Sequence, residues 1–277
     1  MDRTLSVITD QSPLSLSSHH VRLRGKEEIG LFPDLFTLEC WNLSEDSFLL
    51  LSRSRCLSVM NGNSLLAFGE ISDVYRRTVP EGEVTTVAFA KGLSLWETPV
   101  SVSLPAGLTA SETVSALLND SGISVPAWVG EDPVFTRGQA FHDRATLCIT
   151  TVLSAAGARG TLIPSNPGSA FSGSSYSTMP GESSFPTVSQ INSILSVIPA
   201  EGLPVSVHLT AHDLLDAPSF TSSNLMVLST APIGWQVGAT LELEYKGYLR
   251  TGIILERSLD LDTTAGSWRT ELLVECR

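Results

Sequence analysis

The sequence has 277 residues and a formal net charge of −12 at pH 7, and charged side chains make up only 17% of it. Hydrophobic residues contribute 42%, which excludes wholesale disorder, a collagen-like repeat and a small disulfide scaffold. The acidic balance argues against specific nucleic-acid binding, because contacts to phosphates require a basic patch. Since soluble domains usually carry about 25% charged residues, we expect a surface rich in Ser and Thr or one covered by partner chains.

The four cysteines, Cys40, Cys56, Cys148 and Cys276, are far apart in the sequence. They form no C-x-x-C pair, so neither a zinc knuckle nor a redox motif is indicated. Reduced, buried thiols are expected, and the alternative is two disulfides. The sequence has no apolar stretch of about 18 residues, and residues 1–4 do not start a signal peptide. Membrane insertion is therefore not expected.

The first hundred residues are predicted to be mainly strands. Asn61-Gly62 predicts a type I′ hairpin turn, because both central residues of that turn need a positive φ. A short helix is expected from Ser44, since Glu45 and Asp46 suit the positive end of the helix dipole. Hairpins spaced in this way are typical of a small sandwich or barrel. The predicted strands cover residues 4–9, 37–43, 57–60, 65–68, 71–79, 84–90 and 100–104.

The middle of the chain has a mixed α and β pattern. Thr109-Ala-Ser-Glu112 is a capping box, in which side chain and backbone at the helix start bond each other reciprocally. A second helix is predicted over 141–156. A second capping box at 187–190 predicts a third helix, which runs through Ile198 and stops at a proline. Residues 205–209 are predicted to form a strand.

Residues 165–184 contain eight Ser, three Gly and two Pro. Such a composition cannot form a core of its own, so we predict a mobile surface loop. The loop is either functional or a flexible excursion.

From Asn224 onward the sequence is again typical of strands. Residues 240–245 alternate, with Leu241 and Leu243 on one face and Glu242 and Glu244 on the other. The segment 248–262 is long for one strand, and a bend is expected at its Gly252. The remaining predicted strands cover 225–228, 233–235 and 268–275.

Nucleotide-binding and serine-hydrolase motifs are absent from the sequence. His208, His212 and Asp213 have the spacing of metal ligands on a helix, but 205–209 is predicted to be a strand, where residues four apart are distant. Asp260-Leu-Asp262, with a glycine four residues later, resembles a calcium loop without its terminal Glu. We interpret it as a polar hairpin turn.

Two carboxylate pairs, Glu27–Glu28 and Glu131–Asp132, are the residue types that glycoside hydrolysis uses. Since the sequence gives no sign that they converge, we interpret them as solvated surface. The five tryptophans are expected to be anchors in the core or at a subunit interface. We therefore assign no catalytic, cofactor-binding or metal-ligating residue. The tryptophans are Trp41, Trp96, Trp128, Trp235 and Trp268.

Several phrases resemble, in the right order along the chain, the baseplate hub proteins of contractile-tailed phages, the late-control or Mu-like hub family. Each phrase alone is mostly hairpin sequence, so the resemblance depends on their order. One departure is Ala239, which follows Gly238 where the family often has Asp, and that turn is expected to lack a side-chain hydrogen bond. The phrases lie at 38–44, 68–74, 104–118, 137–141, 234–243 and 252–272.

The resemblance implies a mainly β fold with an α+β middle. Two tube-like β-barrel domains would flank a small helix-containing domain. The expected boundaries are 1–107 for the N-terminal barrel, 108–222 for the middle domain with its loop 165–184, and 223–277 for the C-terminal barrel strands.

The resemblance also implies a structural protein and not an enzyme, without cofactor. Three subunits would present six similar barrels, adapt a sixfold tail tube to a threefold spike and leave a channel for DNA. The implied partners are two further copies, the spike protein and the tail tube or its initiator, with the tape measure protein and the baseplate wedge as further candidates. The protein would assemble in the host cytoplasm and reside in the virion baseplate. Because no lysozyme or needle domain is appended, the spike is expected to be a separate polypeptide.

Two other functions remain open at this point. One is a tail-tip peptidoglycan hydrolase with dispersed carboxylates, and the other is a distal-tail or receptor-binding module of a non-contractile phage. If the chain is a hub, the acidic balance is expected to serve the channel, with Glu242, Glu244 and Asp73 as candidates for its lining. The alternative is that the net negative charge only keeps the protein soluble.

Overall fold

The computed structural model describes residues 3–16, 18–62, 64–119, 123, 128, 130–164, 193–198, 203–221, 224–232 and 237–277. The predicted loop 165–184, the capping box at 187–190 and the predicted strand 233–235 lie outside these residues. The described chain is mainly β, as predicted, and its largest sheet has 13 strands. None of the helices among the described residues is long and apolar enough to cross a membrane.

The N-terminal part forms seven strands of the large sheet, in the order β2-β1-β5-β6-β7-β4-β3. Its one helix begins as predicted, because the Ser44 hydroxyl accepts a hydrogen bond from the backbone amide of Ser47 at 3.2 Å. These elements are β1 (Ser6–Thr9), β2 (Pro13–Ser15), β3 (Val21–Glu28), β4 (Asp34–Trp41), α1 (Glu45–Arg53), β5 (Cys56–Asn61), β6 (Ser64–Val79) and β7 (Gly82–Lys91).

The middle part packs helices on two small sheets around a core of its own. The predicted capping box at Thr109 is confirmed, since its hydroxyl and the Glu112 carboxylate each accept the other residue's backbone amide. These elements are α2 (Leu93–Glu97), β8 (Pro99–Leu104), α3 (Ala110–Leu118), β9 (Gln139–Arg144), α4 (Ala145–Ala155), β10 (Arg159–Pro164) and β11 (Ser193–Ile198).

Two helix predictions in this part are wrong. The helix predicted over 141–156 begins only at Ala145, because residues 141–144 belong to β9 and pair with β8, with Phe141 opposite Val102. The helix predicted to run through Ile198 is the strand β11 where the structure describes it, antiparallel to β10. Its spacing of apolar residues fits a helix, but Ile194, Val197 and Ile198 are β-branched and suit a strand once the edge of β10 supplies hydrogen bonds.

The C-terminal part continues the large sheet in the order β13-β14-β17-β16-β15-β12, with β12 parallel to β15. These elements are β12 (Leu203–Thr210), a 3-10 turn (Ala211–Asp213), β13 (Ser219–Phe220), β14 (Leu225–Thr230), β15 (Ala239–Tyr245), β16 (Tyr248–Asp262) and β17 (Trp268–Cys276).

Strand β16 joins the two parts of the sheet. Its first half pairs with β15 and its second half with β3. The pairing is regular at Gly252, where we expected a bend, and the register shift lies instead between Ile254 and Glu256. Ile254 belongs to the C-terminal core, whereas Leu259 and Leu261 belong to the N-terminal core. One strand therefore contributes to two cores.

The hairpin turns differ from the prediction in one place. Asn61 is the last residue of β5 and pairs with Ser64, so the turn lies one residue later than expected and begins at Gly62, with a φ of 56°. Among the described residues, Lys246-Gly247 is a turn in which both central residues have positive φ, with values of 52° and 78°. It joins β15 to β16 as a type I′ turn.

Gly69 marks a place where two strands approach closely. A Cβ atom on Gly69 would lie 2.5 Å from the backbone carbonyl of Ala90 on β7. We predict that Gly69→Ala lowers the free energy of unfolding by about 1–3 kcal/mol, because backbone cannot yield as a side chain can.

Gly138→Ala is the matched control for this prediction, since its added Cβ would lie 3.1 Å from the carbonyl oxygen of Leu104. In a urea titration, it should lower the free energy of unfolding clearly less than Gly69→Ala does. Equal losses in the two variants would show that the close approach at Gly69 is not the constraint.

Candidate functional site

Four charged side chains lie buried together where β16 meets the N-terminal sheet, and we call them the ionic cluster. Arg257 on β16 is directly opposite Glu27 on β3. Asp34 on β4 is directly opposite Lys91 on β7. The strands follow one another in the order β16-β3-β4-β7. Each of the four side chains belongs to a residue that is at most 7% exposed.

The charges of the ionic cluster alternate and are joined in one chain. Arg257 Nη2 lies 2.6 Å from Glu27 Oε2. Lys91 Nζ lies 2.8 Å from Asp34 Oδ2 and also binds Glu27 Oε1. Glu27 is therefore shared by two cations, and Lys91 by two carboxylates.

The ionic cluster also reaches three other parts of the molecule. Arg257 Nη2 donates to the backbone oxygen of Leu66 on β6 at 2.7 Å. Lys91 Nζ lies 3.4 Å from Thr161 Oγ1 on β10, in the middle part. Asp34 Oδ1 accepts the backbone amide of Glu28 at 3.0 Å and so fixes the start of the β3–β4 connection.

The contact from Arg257 to Leu66 shows that the sheet curls. Strands β16 and β6 are separated by β3, β4 and β7 in the sheet order, so a direct hydrogen bond between them must cross the interior. A second long-range contact also shows that the sheet curls, and it joins the segment before β1 to the connection between β16 and β17. Arg3 Nη1 lies 3.3 Å from the carbonyl oxygen of Gly266, and its guanidinium lies 5.9 Å from the centre of the Trp268 ring.

Burial and charge act in opposite directions on the pKa values of the cluster. Burial would raise the pKa of Glu27, but Lys91 and Arg257 outweigh it and lower that pKa to about 2. Burial would lower the pKa of Lys91, but Glu27 and Asp34 outweigh it and raise that pKa. The pKa of Asp34 is raised, because burial exceeds the attraction of Lys91. Glu27 is therefore held ionised by its partners.

The opposite face of β3 and β16 carries exposed charges of both signs. Arg22 and Arg24 lie 3.4 and 3.5 Å from Asp260. Lys26 Nζ lies 2.8 Å from Glu256 Oε2. The densest basic stretch of the sequence is thus paired with carboxylates of the next strand, and each such exposed pair contributes about 0–1 kcal/mol.

A cleft of about 280 Å³ opens at the β3–β4 connection. Phe32 and Leu35 are 55% and 69% exposed on it. The Phe32 ring lies 5.4 Å from the Trp96 ring, centre to centre, and the Arg144 guanidinium lies 4.1 Å from the centre of the same Trp96 ring. The cleft is lined by Lys26, Glu28, Ile29, Gly30, Phe32, Pro33, Asp34 and Leu35.

The β15–β16 hairpin ends in a second exposed apolar feature, which we call the hairpin tip. Tyr248 and Leu249 are 72% and 63% exposed there. Leu249 is opposite Glu244, on the face of the hairpin away from the C-terminal core. Phe220, also exposed, has the Arg250 guanidinium 5.8 Å from its ring centre.

The residues with metal-ligand spacing contact other partners. His208 is opposite Glu242 on the neighbouring strand, at 3.7 Å. Asp213 accepts the backbone amide and the hydroxyl of Thr210, both at 2.8 Å, and these bonds lower its pKa. In the part of the chain that the structure describes, no three His, Cys, Asp or Glu side chains lie close enough to share a metal ion.

The stretch that resembles a calcium loop is a hairpin turn, as interpreted from the sequence. Asp262 Oδ1 accepts the backbone amides of Thr264 at 2.9 Å and Ala265 at 3.3 Å. The same oxygen lies 3.1 Å from His20 Nε2. Burial would raise the pKa of Asp262, but these hydrogen bonds lower it.

The two carboxylate pairs do not converge. The interpretation of Glu27 as solvated surface is wrong, because its carboxylate is buried in the ionic cluster between Lys91 and Arg257, whereas Glu28 is exposed and pairs with Lys26. Asp132 accepts the amide and the hydroxyl of Ser111 at 2.9 and 2.6 Å, beside the start of α3. Glu131 is exposed, and its backbone oxygen accepts the Trp128 ring N–H at 2.9 Å.

The described tryptophans occupy different environments. Trp268 is buried in the N-terminal core. Trp41 stacks on His20 with 3.9 Å between ring centres. Trp96 lies beside Phe32, and Trp235 is outside the described residues.

The three acids considered for a channel are on polar faces. Glu244 and Asp73 are exposed, and Glu242 is partly exposed. Glu242 and Glu244 lie on β15, on the face away from the C-terminal core, as the alternation predicted.

The ionic cluster was not predicted, although the sequence contains a signal for it. Within the alternating strands, Glu27, Lys91 and Arg257 occupy positions of the same parity as Leu23, Phe89 and Leu259, which are buried. On each of these strands, a charged residue therefore occupies a position on the same face as buried apolar residues. A charge in such a register predicts a buried partner.

Neither protein-family models nor curated proteins give a match to the sequence. Solved structures do match the fold. A tail protein from Neisseria meningitidis MC58 superposes with a TM-score of 0.66 over 99% of this chain and 97% of that chain, at 11% identity. The 43 kDa tail protein of prophage MuSo2 from Shewanella oneidensis gives a TM-score of 0.62 over 99% and 96%, at 9% identity.

A third match is an E. coli component of the type VI secretion system, described as structurally similar to the T4 bacteriophage tail proteins gp27 and gp5. Its TM-score is 0.64 over 93% of this chain and 73% of that chain, at 10% identity. The chain therefore has the fold of phage and type VI secretion tail proteins. The resemblance found in the sequence is confirmed at the level of the fold.

The stability of the protein is expected to depend strongly on Lys91, because its ammonium group contacts both carboxylates of the ionic cluster. We predict that Lys91→Met lowers the free energy of unfolding by about 3–5 kcal/mol, because Asp34 loses its cation and Glu27 loses one of two. Lys26→Met, which removes an exposed lysine with two carboxylate contacts, should cost about 1 kcal/mol or less. Chemical denaturation of both variants measures the two decreases in the free energy of unfolding. Equal decreases would contradict the assigned role of the cluster.

The lowered pKa of Glu27 makes stability depend on pH. The stabilisation from ionised Glu27 is complete above its ordinary pKa of 4.5 and is lost as the pH falls toward about 2. This loss is on the order of 3 kcal/mol, and Asp34, whose pKa is raised, offsets part of it.

We therefore expect the urea concentration at the unfolding midpoint to decrease as the pH is lowered from 4.5 to 2. In Glu27→Gln the decrease over the same window should be shallower, since the titrating group is gone. A variant with the slope of the unmodified protein would show that other carboxylates cause the pH dependence.

Proposed function

We propose that the chain is the structural hub of a phage tail baseplate, which adapts the sixfold tail tube to a threefold spike and leaves a channel for DNA. The observation that carries the proposal is the end-to-end match with two tail proteins, one of them from a prophage, in which nearly all of each chain is covered. The order of the hub-like phrases in the sequence supports the same role. The protein would then reside in the virion baseplate after assembly in the host cytoplasm.

The proposed architecture has two tube-like barrels that flank the middle part. The curl of the sheet between β16 and β6 supports the N-terminal barrel. The separate core of β12 and β14–β17 supports the C-terminal one. We keep 1–107, 108–222 and 223–277 as proposed boundaries. They assign β8 to the N-terminal barrel and β12 to the middle domain, whereas β8 packs on the middle core and β12 on the C-terminal core, and β16 contributes to the cores of both barrels.

A homotrimer would place six such barrels in one ring. The low content of charged residues and the exposed apolar cleft and hairpin tip support extensive contacts with other chains. The further proposed partners are the spike protein and the tail tube or its initiator, with the tape measure protein and the baseplate wedge as additional candidates.

The proposed role is mechanical and not enzymatic. The four charges of the ionic cluster contact one another in the interior, and this arrangement suits a structural purpose. The carboxylates of the two predicted acidic pairs are used in the cluster, at a helix start or at the surface.

The acidic balance fits passage of DNA. Carboxylates such as Glu242 and Glu244 on the polar face of β15 would repel phosphates over about 8 Å at physiological salt. Lysines or arginines without partners would instead form contacts that slow passage. We propose that this face of β15, with Asp73 on β6 as a further candidate, contributes to the channel wall.

The proposal predicts a mass of three chains in solution, either for the protein alone or in a mixture with its spike. Light scattering coupled to size-exclusion chromatography measures this directly for both samples. A single-chain mass of 29.6 kDa in both would refute the threefold hub.

A further inference from the structure

We propose that strand β8 binds an extended segment of another protein of the tail, which adds to the free edge of β8 as a third strand. The inference rests on the proposed function, because that function supplies partner chains, and it names the kind of segment that one of them presents. Its basis is a strand edge whose backbone groups point outward and which lacks the usual protection against pairing.

The pairing of β8 with β9 shows which backbone groups of β8 point toward its partner strand. The two strands are antiparallel and keep one continuous register. At the end of this register, the Ala145 amide donates to the carbonyl oxygen of Thr98 at 2.9 Å. Hydrogen-bonded and non-bonded pairs alternate along an antiparallel ladder. The backbone groups of Val100, Val102 and Leu104 are therefore directed toward β9.

The backbone groups of Ser101 and Ser103 are directed away from β9. In the part of the chain that the structure describes, these groups form no hydrogen bond to another strand. Two details agree with this phase of the ladder. Pro99, which has no N–H, occupies an outward position, and the outward amide of Arg144 opposite it donates to the carboxylate of Asp143 at 2.7 Å.

A second open edge of the molecule is protected, and β8 differs from it. Among the described strands, residues 72–79 of β6 pair with β7 alone. This edge begins with a register shift between Ile71 and Asp73 and carries Arg76 and Arg77. Bulges and charged side chains are features by which proteins prevent edge-to-edge pairing. Strand β8 has a regular register and no charged residue, which indicates that its edge is covered in the assembled protein.

The edge and the two faces of β8 define the segment that covers it. An open strand edge pairs with extended backbone, because its donors and acceptors are spaced for another strand. On one face, Val100, Val102 and Leu104 pack on the middle core and are only partly buried. Apolar residues of an added strand would complete their burial. On the other face, Ser101 and Ser103 are exposed, so the segment is uncharged and alternates apolar with small polar side chains.

A second copy of the chain does not fit the proposed ring as the source of this segment. Pairing of β8 with β8 of a second copy is isologous and gives a dimer, not a trimer. Pairing of β8 with the outer edge of β9 in the next copy would close six strands around the threefold axis, two from each copy. Since even eight strands enclose only side chains, that arrangement would leave no channel. The segment therefore belongs to a different chain.

Hydrogen exchange of the unmodified protein tests the inference. In the isolated protein, the amides of Ser101 and Ser103 should exchange quickly, whereas those of Val100, Val102 and Leu104 should exchange slowly because β9 binds them. Mass spectrometry with fragmentation between single residues separates the two groups. In a mixture with the purified spike protein, or in one with the purified tube initiator, both serine amides should become protected.

A pair of variants separates the backbone from the side chain. Ser103→Pro removes the outward N–H and leaves the hydrogen bonds to β9 in place, since proline is tolerated on an edge strand. It should weaken binding of the partner by about 10-fold or more, because a carbonyl group of the segment is left unpaired. Ser103→Ala loses the same hydroxyl but keeps the N–H, and it should bind as the unmodified protein does. Calorimetric titration measures the affinities, and circular dichroism checks both folds.

Three results would overturn the inference. They are serine amides that exchange quickly in both mixtures, a Ser103→Pro chain that binds as tightly as Ser103→Ala, and protection that appears in the isolated protein as its concentration rises. The last result would assign the edge to a second copy. The mass of each mixture separates this inference from the hub proposal. A complex with three copies and fast serine amides refutes only the edge contact, whereas the absence of any complex also refutes the hub.

Discussion

The shared carboxylate of Glu27 is the interaction on which the rest of the structure depends. It binds Lys91 and Arg257 in the interior and so connects β3, β7 and β16. Replacing a buried ion pair by apolar residues is often neutral for stability, but removing one partner is costly. The cluster therefore acts mainly on register. A slip of one residue between β3 and β16 would turn Glu27 outward and leave Arg257 buried without its carboxylate.

This constraint also positions two of the exposed apolar surfaces, the cleft and the hairpin tip. Asp34 belongs to the cluster and at the same time lines the cleft, where it binds the backbone of Glu28. Arg257 lies just after the register shift of β16, between the N-terminal and the C-terminal core. The strand thus carries the hairpin tip at one end and the cluster near its middle. A rigid connection of this kind suits the proposed function, which is to hold partners in a ring.

Local signals in the sequence predicted the local structure. The Ser44 start of α1, the capping box at Thr109 and the alternation of β15 needed only neighbours a few residues apart. Strand β11 was missed because its partner β10 lies outside the local pattern. The ionic cluster was missed for the same reason, since Arg257 and Glu27 are 230 residues apart. The cleft and the hairpin tip are defined by apolar side chains that stay exposed after folding, and the sequence alone does not show which apolar residues these are.

We propose that copies of this chain close into a ring that leaves a channel. Electron microscopy of purified assemblies, formed with the spike if needed, tests it most directly. A threefold hub should give end-on views with three copies, six similar lobes and an open centre. Particles of one copy, or closed assemblies with another symmetry and no central opening, would contradict it.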